Sequence, residues 1–163
     1  MKPSSTAVTN LAKTIDEFVE AFNVNDLDRV MLYFADSAVY LPGDGSRHCG
    51  IAAIRAAFEP QFSGSFGSMR FDEHERLIDS DSRKAVIRWV CRHDLAGAKS
   101  APLWVQIQRL AVRLTVGSRF GWEGLDVFHF DSNNKIVGKF TYANYSRPQL
   151  KKELGVPLAQ RKA

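Results

Sequence analysis

Gly121–Ser146, GWEGLDVFHFDSNNKIVGKFTYANYS, is the stretch whose reading decides the fold. It holds two runs of strand character on either side of Asp131–Lys135. Side chains two apart on a strand share a face. Asp126 therefore falls with Phe128 and Phe130, while Leu125, Val127 and His129 take the other side. In the second run Ile136, Gly138, Phe140, Tyr142 and Asn144 share a face, opposed to Val137, Lys139, Thr141, Ala143 and Tyr145. Both faces carry apolar or aromatic residues, which predicts a sheet covered on one side and packed on a partner or ligand on the other. The short polar residues Asp131-Ser132-Asn133-Asn134 tolerate left-handed backbone, so the two runs read as an antiparallel hairpin.

Upstream, Leu11, Ile15, Phe18, Val19 and Phe22 form one apolar stripe on a helix. Asp26 caps a second, short helix with Leu27, Val30, Met31 and Phe34 turned inward. Ala38–Leu41 reads as a short strand ended by Pro42-Gly43-Asp44-Gly45. Ile51, Ile54 and Phe58 mark a third helix, which Pro60 is expected to limit. Ser68–Ile78 and Lys84–Asp94 pair as a second hairpin around Asp79–Ser82. Leu103–Val116 is ambiguous: Leu103, Ile107, Leu110, Ala111 and Leu114 fit a helical stripe, while its β-branched residues permit a strand. Its length favours an inserted helix. The expected organisation is one domain over residues 1–146 and a tail over 147–163.

At 163 residues, with 45% hydrophobic and 25% charged residues, the composition is that of an ordinary globular chain with enough length for a continuous core. No apolar run reaches the ~18 residues of a membrane span, and the beginning of the chain lacks a signal-peptide core, so a cytoplasmic protein without membrane contact is expected. The net charge of +4 is mild and partly carried by Lys151, Lys152, Arg161 and Lys162. Without a basic stripe interleaved with aromatics, no nucleic-acid partner is expected. Cys49 and Cys91 are the two cysteines, and neither His48-Cys49 nor Cys91-x-His93 has a zinc-site spacing, so no metal is assigned. Phosphate-binding loops and nucleophile elbows are absent from the sequence.

The order helix, helix, strand, helix, then long antiparallel strands resembles the nuclear transport factor 2-like superfamily, in its SnoaL-like and ketosteroid isomerase-like branches. Asn25–Tyr40 (NDLDRVMLYFADSAVY) is similar to the family's second helix and first strand, Gly50–Phe58 (GIAAIRAAF) to its third helix, and Asp126–Val137 (DVFHFDSNNKIV) to its last hairpin. The resemblance implies an α+β fold: a cone-shaped α+β barrel whose curved, mostly antiparallel sheet wraps three N-terminal helices, here with an extra helix inserted around 103–116. It further implies an apolar pocket for a small hydrophobic or aromatic molecule, lined by Tyr40, Leu41, Phe18, Trp122, Phe128 and Tyr142, and a homodimer through the outer sheet face.

The resemblance separates the family's chemistries. Steroid isomerases of this fold place a base where this chain has Leu41 and a tyrosine where it has Phe18, so only their neutral carboxylic acid has a counterpart, at Asp126. Epoxide hydrolases of the fold use Arg-x-Asp on a middle strand, matched by Arg92-His93-Asp94, and a last-strand aspartate that falls here on Asn144. An amide orients a water but cannot take its proton. The expectation is cofactor-free acid–base chemistry of isomerase, lyase/cyclase or hydrolase type, with Asp126 or Asp94 as acid/base, Arg92 polarising an oxygen and Asn144 positioning substrate or water. Two alternatives stay open: a non-catalytic carrier using the same pocket, and an interaction module in which Leu103–Val116 is an exposed docking helix.

Overall fold

Apolar periodicity in the first third of the chain and strand alternation in the rest produce three helices laid on a curved sheet. In the computed structural model, which describes residues 5–96, 102–145 and 149–150, the helices are α1 (Ser5–Asn23), α2 (Leu27–Met31) and α3 (Ile51–Phe62), with α4 (Leu103–Thr115) inserted later. The strands are β1 (Phe34–Leu41), β2 (His48–Cys49), β3 (Ser68–Asp79), β4 (Lys84–Asp94), β5 (Arg119–Phe130), β6 (Ile136–Ala143) and β7 (Gln149–Leu150). The sheet runs β2-β1-β6-β5-β4-β3, with β7 also on β5. All pairings are antiparallel except β1 with β6. This is the cone-shaped α+β architecture expected, with the inserted helix in place.

The α1 stripe is buried as its spacing requires: Leu11, Ile15, Phe18 and Phe22 are all 4% exposed or less. Aromatic rings fill the wide space under the concave sheet, Phe18 lying 5.6 Å from Phe128 and Phe22 lying 5.4 Å from Phe58 between centroids. Asp26 caps α2 by accepting from the Arg29 N–H at 2.9 Å. Phe34 is buried as expected, though as the first residue of β1 rather than on α2. Pro60 does not end α3, which continues to Phe62. Its exposed position lets water satisfy the carbonyl that lost a donor, and Ser63 closes the end on the Glu59 carbonyl at 2.8 Å. Gln149–Leu150, in the expected tail, pairs with Phe120–Gly121.

The decisive departure lies in β6. Phe130 pairs with Ile136 but His129 pairs with Gly138, so Val137 is an extra residue that bulges from the ladder. Beyond it every side chain changes face. Lys139 and Thr141 enter the cone opposite Phe128 and Asp126, while Phe140, Tyr142 and Asn144 turn outward. Among the described residues, no helix is long and apolar enough to cross a membrane.

The end of β1 is held against β6 by a close approach. Gly43 has φ +87°, and a Cβ there would lie 2.6 Å from the Thr141 carbonyl oxygen, whereas Gly45, at φ +91°, has nothing near it. Gly45→Ala is expected to cost about 1 kcal/mol and Gly43→Ala about 2 kcal/mol or more, because only the second adds a clash to the backbone strain. Denaturant unfolding of the two variants checks the difference.

Candidate functional site

Between the helices and the sheet lies a cavity of about 640 Å³, in the size range of small-molecule sites. Its walls are aromatic, from Phe22 on α1, Phe58 on α3, Phe66 in the α3–β3 connection, Phe71 on β3, Trp89 on β4 and Trp122 on β5. Tyr40, Lys139 and Thr141 form its polar floor, Cys91 and His93 one side, and Asp44, Ser46 and His48 its rim. Inward parity on β4 brings Ala85, Ile87, Trp89, Cys91 and His93 onto the concave face.

The floor is a closed polar triangle. Lys139 Nζ sits 2.7 Å from Asp126 Oδ1 and donates to Thr141 Oγ1 at 2.9 Å, and Thr141 donates to the same Asp126 oxygen at 2.5 Å. Both charged side chains are 5% exposed or less. The ammonium also lies 5.0 Å from the Tyr40 ring centre and 5.6 Å from that of Phe128. Burial pushes the Lys139 ammonium below its ordinary pKa, against the pull of the Asp126 charge and hydrogen bond. Burial first, and the Asp126 charge second, push the Tyr40 phenol well above its usual value, so it remains a neutral donor. An ammonium has three N–H groups. Two are spent inside the triangle, and the third is available to the cavity.

His93 is 5% exposed, its ring stacked on Phe120 at 5.1 Å with a 10° interplanar angle, and Nε2 lies 3.4 Å from Cys91 Sγ. Burial lowers its pKa to about 4, the Phe66 backbone pulling weakly the other way. The ring is therefore neutral at pH 7. Its Nδ1 lacks a well-aligned partner among the described residues, as does the indole N–H of Trp89, and both residues line the cavity. Burial raises the Cys91 thiol, so no thiolate nucleophile forms there. Among the described residues no three His, Cys, Asp or Glu side chains gather as a metal set.

Of the residues singled out from sequence, Tyr40 and Trp122 line the cavity. Phe18, Phe128 and Asp126 lie behind its floor around a second, much smaller void. Leu41 points away from the cavity, its neighbours Tyr40 and Pro42 taking the lining positions. Tyr142 is 63% exposed and Asn144 is exposed, because the Val137 bulge reversed their face. Arg92 and Asp94 do share a strand face, but it is the outer one: Arg92 is ion-paired with Asp72, and Asp94 lies 2.8 Å from Arg119. The residue between them, His93, is the one that reaches the cavity.

Sequence reasoning assigned no role to Lys139 or Thr141 and weighed His93 only as a metal ligand. The available signal was Asp126 itself: an inward carboxylate between aromatics demands a buried partner on the next strand.

The SnoaL-like domain family model matches residues 15–139. No curated protein matches the sequence. Among solved structures, the epoxide hydrolase/cyclase-like enzyme SalBIII, described in pyran ring formation in the polyether salinomycin, is similar at 13% identity. That likeness covers 87% of this chain and 96% of that one, with a TM-score of 0.66. A candidate polyketide cyclase from Xanthomonas campestris pv. campestris is similar at 15% identity, over 86% and 94% of the two chains, TM-score 0.62. An NTF2-like protein of unknown function from Exiguobacterium sp. 255-15 is similar at 16% identity, over 81% and 98%, TM-score 0.58. These likenesses establish the fold.

Two predictions follow from the geometry. Asp126→Leu and Lys139→Met each strand one member of a buried pair and are expected to cost roughly 3–5 kcal/mol, whereas the double variant Asp126→Leu/Lys139→Met costs well under the sum; equilibrium unfolding gives the cycle. For His93, the folded pKa of about 4 lies below the ordinary 6.5. Its contribution is therefore complete above pH 6.5 and lost as pH falls from 6.5 through 4, by up to ~3 kcal/mol. Over that window the native chain should lose up to ~3 kcal/mol of stability relative to His93→Phe.

Proposed function

This chain belongs to the SnoaL-like domain family, and we propose that its cavity binds a small, largely aromatic or apolar molecule bearing a carbonyl oxygen and moves a proton on it without a cofactor. The observation that carries this reading is a buried ammonium at the floor of an aromatic cavity, with one N–H uncommitted. The apolar body of the ligand packs on the rings of Phe22, Phe58, Phe71 and Trp122. Its oxygen takes hydrogen bonds from Lys139 and Tyr40, donors that Asp126, Thr141 and surrounding rings already hold in place. Negative charge developing on that oxygen is thereby stabilised without reorganisation.

Neutral His93 accepts the proton. As the carbon–hydrogen bond next to the carbonyl breaks, its electron pair forms a carbon–carbon double bond and the carbonyl pair moves onto oxygen, facing Lys139. The proton returns from His93 to a second carbon in an isomerisation, or to the product after ring closure. A base with a pKa near 4 is weak, but ketosteroid isomerase abstracts such a proton with a base of about 4.6 because its oxyanion donors are strong. Asp126 thus acts through Lys139, and the roles expected of Arg92, Asp94 and Asn144 pass to residues on the concave face.

The test begins with natively purified protein, denatured and analysed by mass spectrometry for a retained molecule. Aryl ketones and β-diketones are then incubated in D2O with the native protein and with folded His93→Gln and Lys139→Met. The native chain is expected to exchange the hydrogen next to the carbonyl, His93→Gln to slow exchange by ~10²–10⁴ and Lys139→Met by ~10²–10³. Saturable binding with no exchange by the native chain would sink the catalytic reading and leave a carrier.

A further inference from the structure

The inserted helix α4 packs against the body by its poorer face. Val105 is 1% exposed, Arg109 donates to the Gly64 carbonyl at 2.9 Å, and Val112 and Val116 are half-buried, all within one narrow arc of the helix. The diametrically opposite arc carries the larger apolar side chains. Leu103, Ile107, Leu110 and Leu114 are 73%, 61%, 56% and 77% exposed, with Trp104 beside them at 55%. Together these five expose on the order of several hundred Å², the scale at which an apolar patch marks an interaction surface and much of the ~800 Å² that one partner contributes to a standard interface.

The geometry points to α4 as the interface between two copies of this chain, joined as an antiparallel helix pair about a twofold axis. The seam residues are spaced by four, three and four, the a/d spacing of a coiled coil, and the same residues are the ones turned away from the body. That spacing is palindromic. In an antiparallel pair centred between Ile107 and Leu110, Leu103 meets Leu114 of the other copy and Ile107 meets Leu110, which is the self-complementarity a twofold interface demands. The flanking positions agree. Trp104 falls beside Ala111 of the other copy, large against small, and Gln106 beside Arg113, so an amide carbonyl faces a guanidinium. The helix has no acidic residue, and its two arginines do not oppose each other in this register.

The outer sheet face, where the resemblance placed a homodimer, is differently made. Arg92 and Arg70 both engage Asp72 there, and Arg88 engages Glu75 and Glu123, so much of its polar surface is already paired within one copy.

Sedimentation equilibrium of the full chain tests the assignment. The native chain is expected to sediment at twice its monomer mass at micromolar concentration. Ile107→Glu and Leu110→Glu should raise the dissociation constant at least ~30-fold, with the circular dichroism of the folded chain retained because both positions are exposed. Tyr142→Glu, on the outer sheet face, should leave the dimer intact. In a Cys49→Ser background, Leu103→Cys with Leu114→Cys should form an intermolecular disulfide, and Leu103→Cys alone should not. A native chain that is monomeric throughout, or a dimer broken by Tyr142→Glu and not by Ile107→Glu, overturns the proposal; a disulfide formed by Leu103→Cys alone overturns the antiparallel arrangement.

Discussion

The structure depends on one buried ion pair. Asp126 is committed to the interior by its strand neighbours: Phe128 and Phe130 face the core from β5, and period-two geometry takes Asp126 with them. An unpaired carboxylate there would cost several kcal/mol. The neighbouring strand has to supply a cation at the right height, and β6 as a regular ladder would not. Val137 resolves the conflict by bulging, which leaves Ile136 inward in the core and brings Lys139 and Thr141 inward above it. The bulge also turns Tyr142 and Asn144 to the outside. A single inserted residue therefore decides both the chemistry of the cavity floor and which residues take no part in it.

The same interaction links stability to the character of the cavity floor. A buried pair contributes little net stability over apolar replacements of the same shape, and this one occupies space that Leu and Met would fill. Its distinctive property is that the ammonium remains partly unsatisfied: Asp126 and Thr141 use two of its hydrogens, the aromatic rings of Tyr40 and Phe128 attract its charge, and the cavity meets the rest. In the proposed reading, an ammonium held this way offers its remaining N–H to a ligand oxygen.

Fold and site were unequally legible in the sequence. The helices announced themselves through the α1 stripe, the Asp26 cap and the Ile51–Ile54–Phe58 spacing. The hairpins did so through alternation and the polar turns at Asp79–Ser82 and Asp131–Asn134, because these signals are local. Inward parity on β5 was also local. Parity on β6 was not, since K-F-T-Y reads by the usual rule as polar out and aromatic in, and only the partner strand's demand for a cation inverts it. The Arg92-His93-Asp94 match misled for a related reason. Its two charged residues share a face, but Ile87, Trp89 and Cys91 fix that face as the outer one, and the motif's middle residue is the one that points inward.

That division of faces bears on the proposed association. On the outer sheet, residues that a family motif would place in a site are spent on lateral ion pairs that are exposed or partly exposed, each of which contributes modestly. The insertion between β4 and β5 adds what the sheet does not offer. Arg109 anchors α4 to the Gly64 carbonyl, a contact close enough that a Cβ at Gly64 would lie 2.9 Å from the guanidinium, and this fixes the helix's rotation. With the Val105–Val112 side held down, the leucine stripe has no route back to the body. An apolar seam turned outward by a side-chain-to-backbone hydrogen bond stays exposed in the single chain, and that exposure is the basis of the proposed pairing. The proposed association therefore falls on the insertion, and the proposed ligand on the cone beneath it.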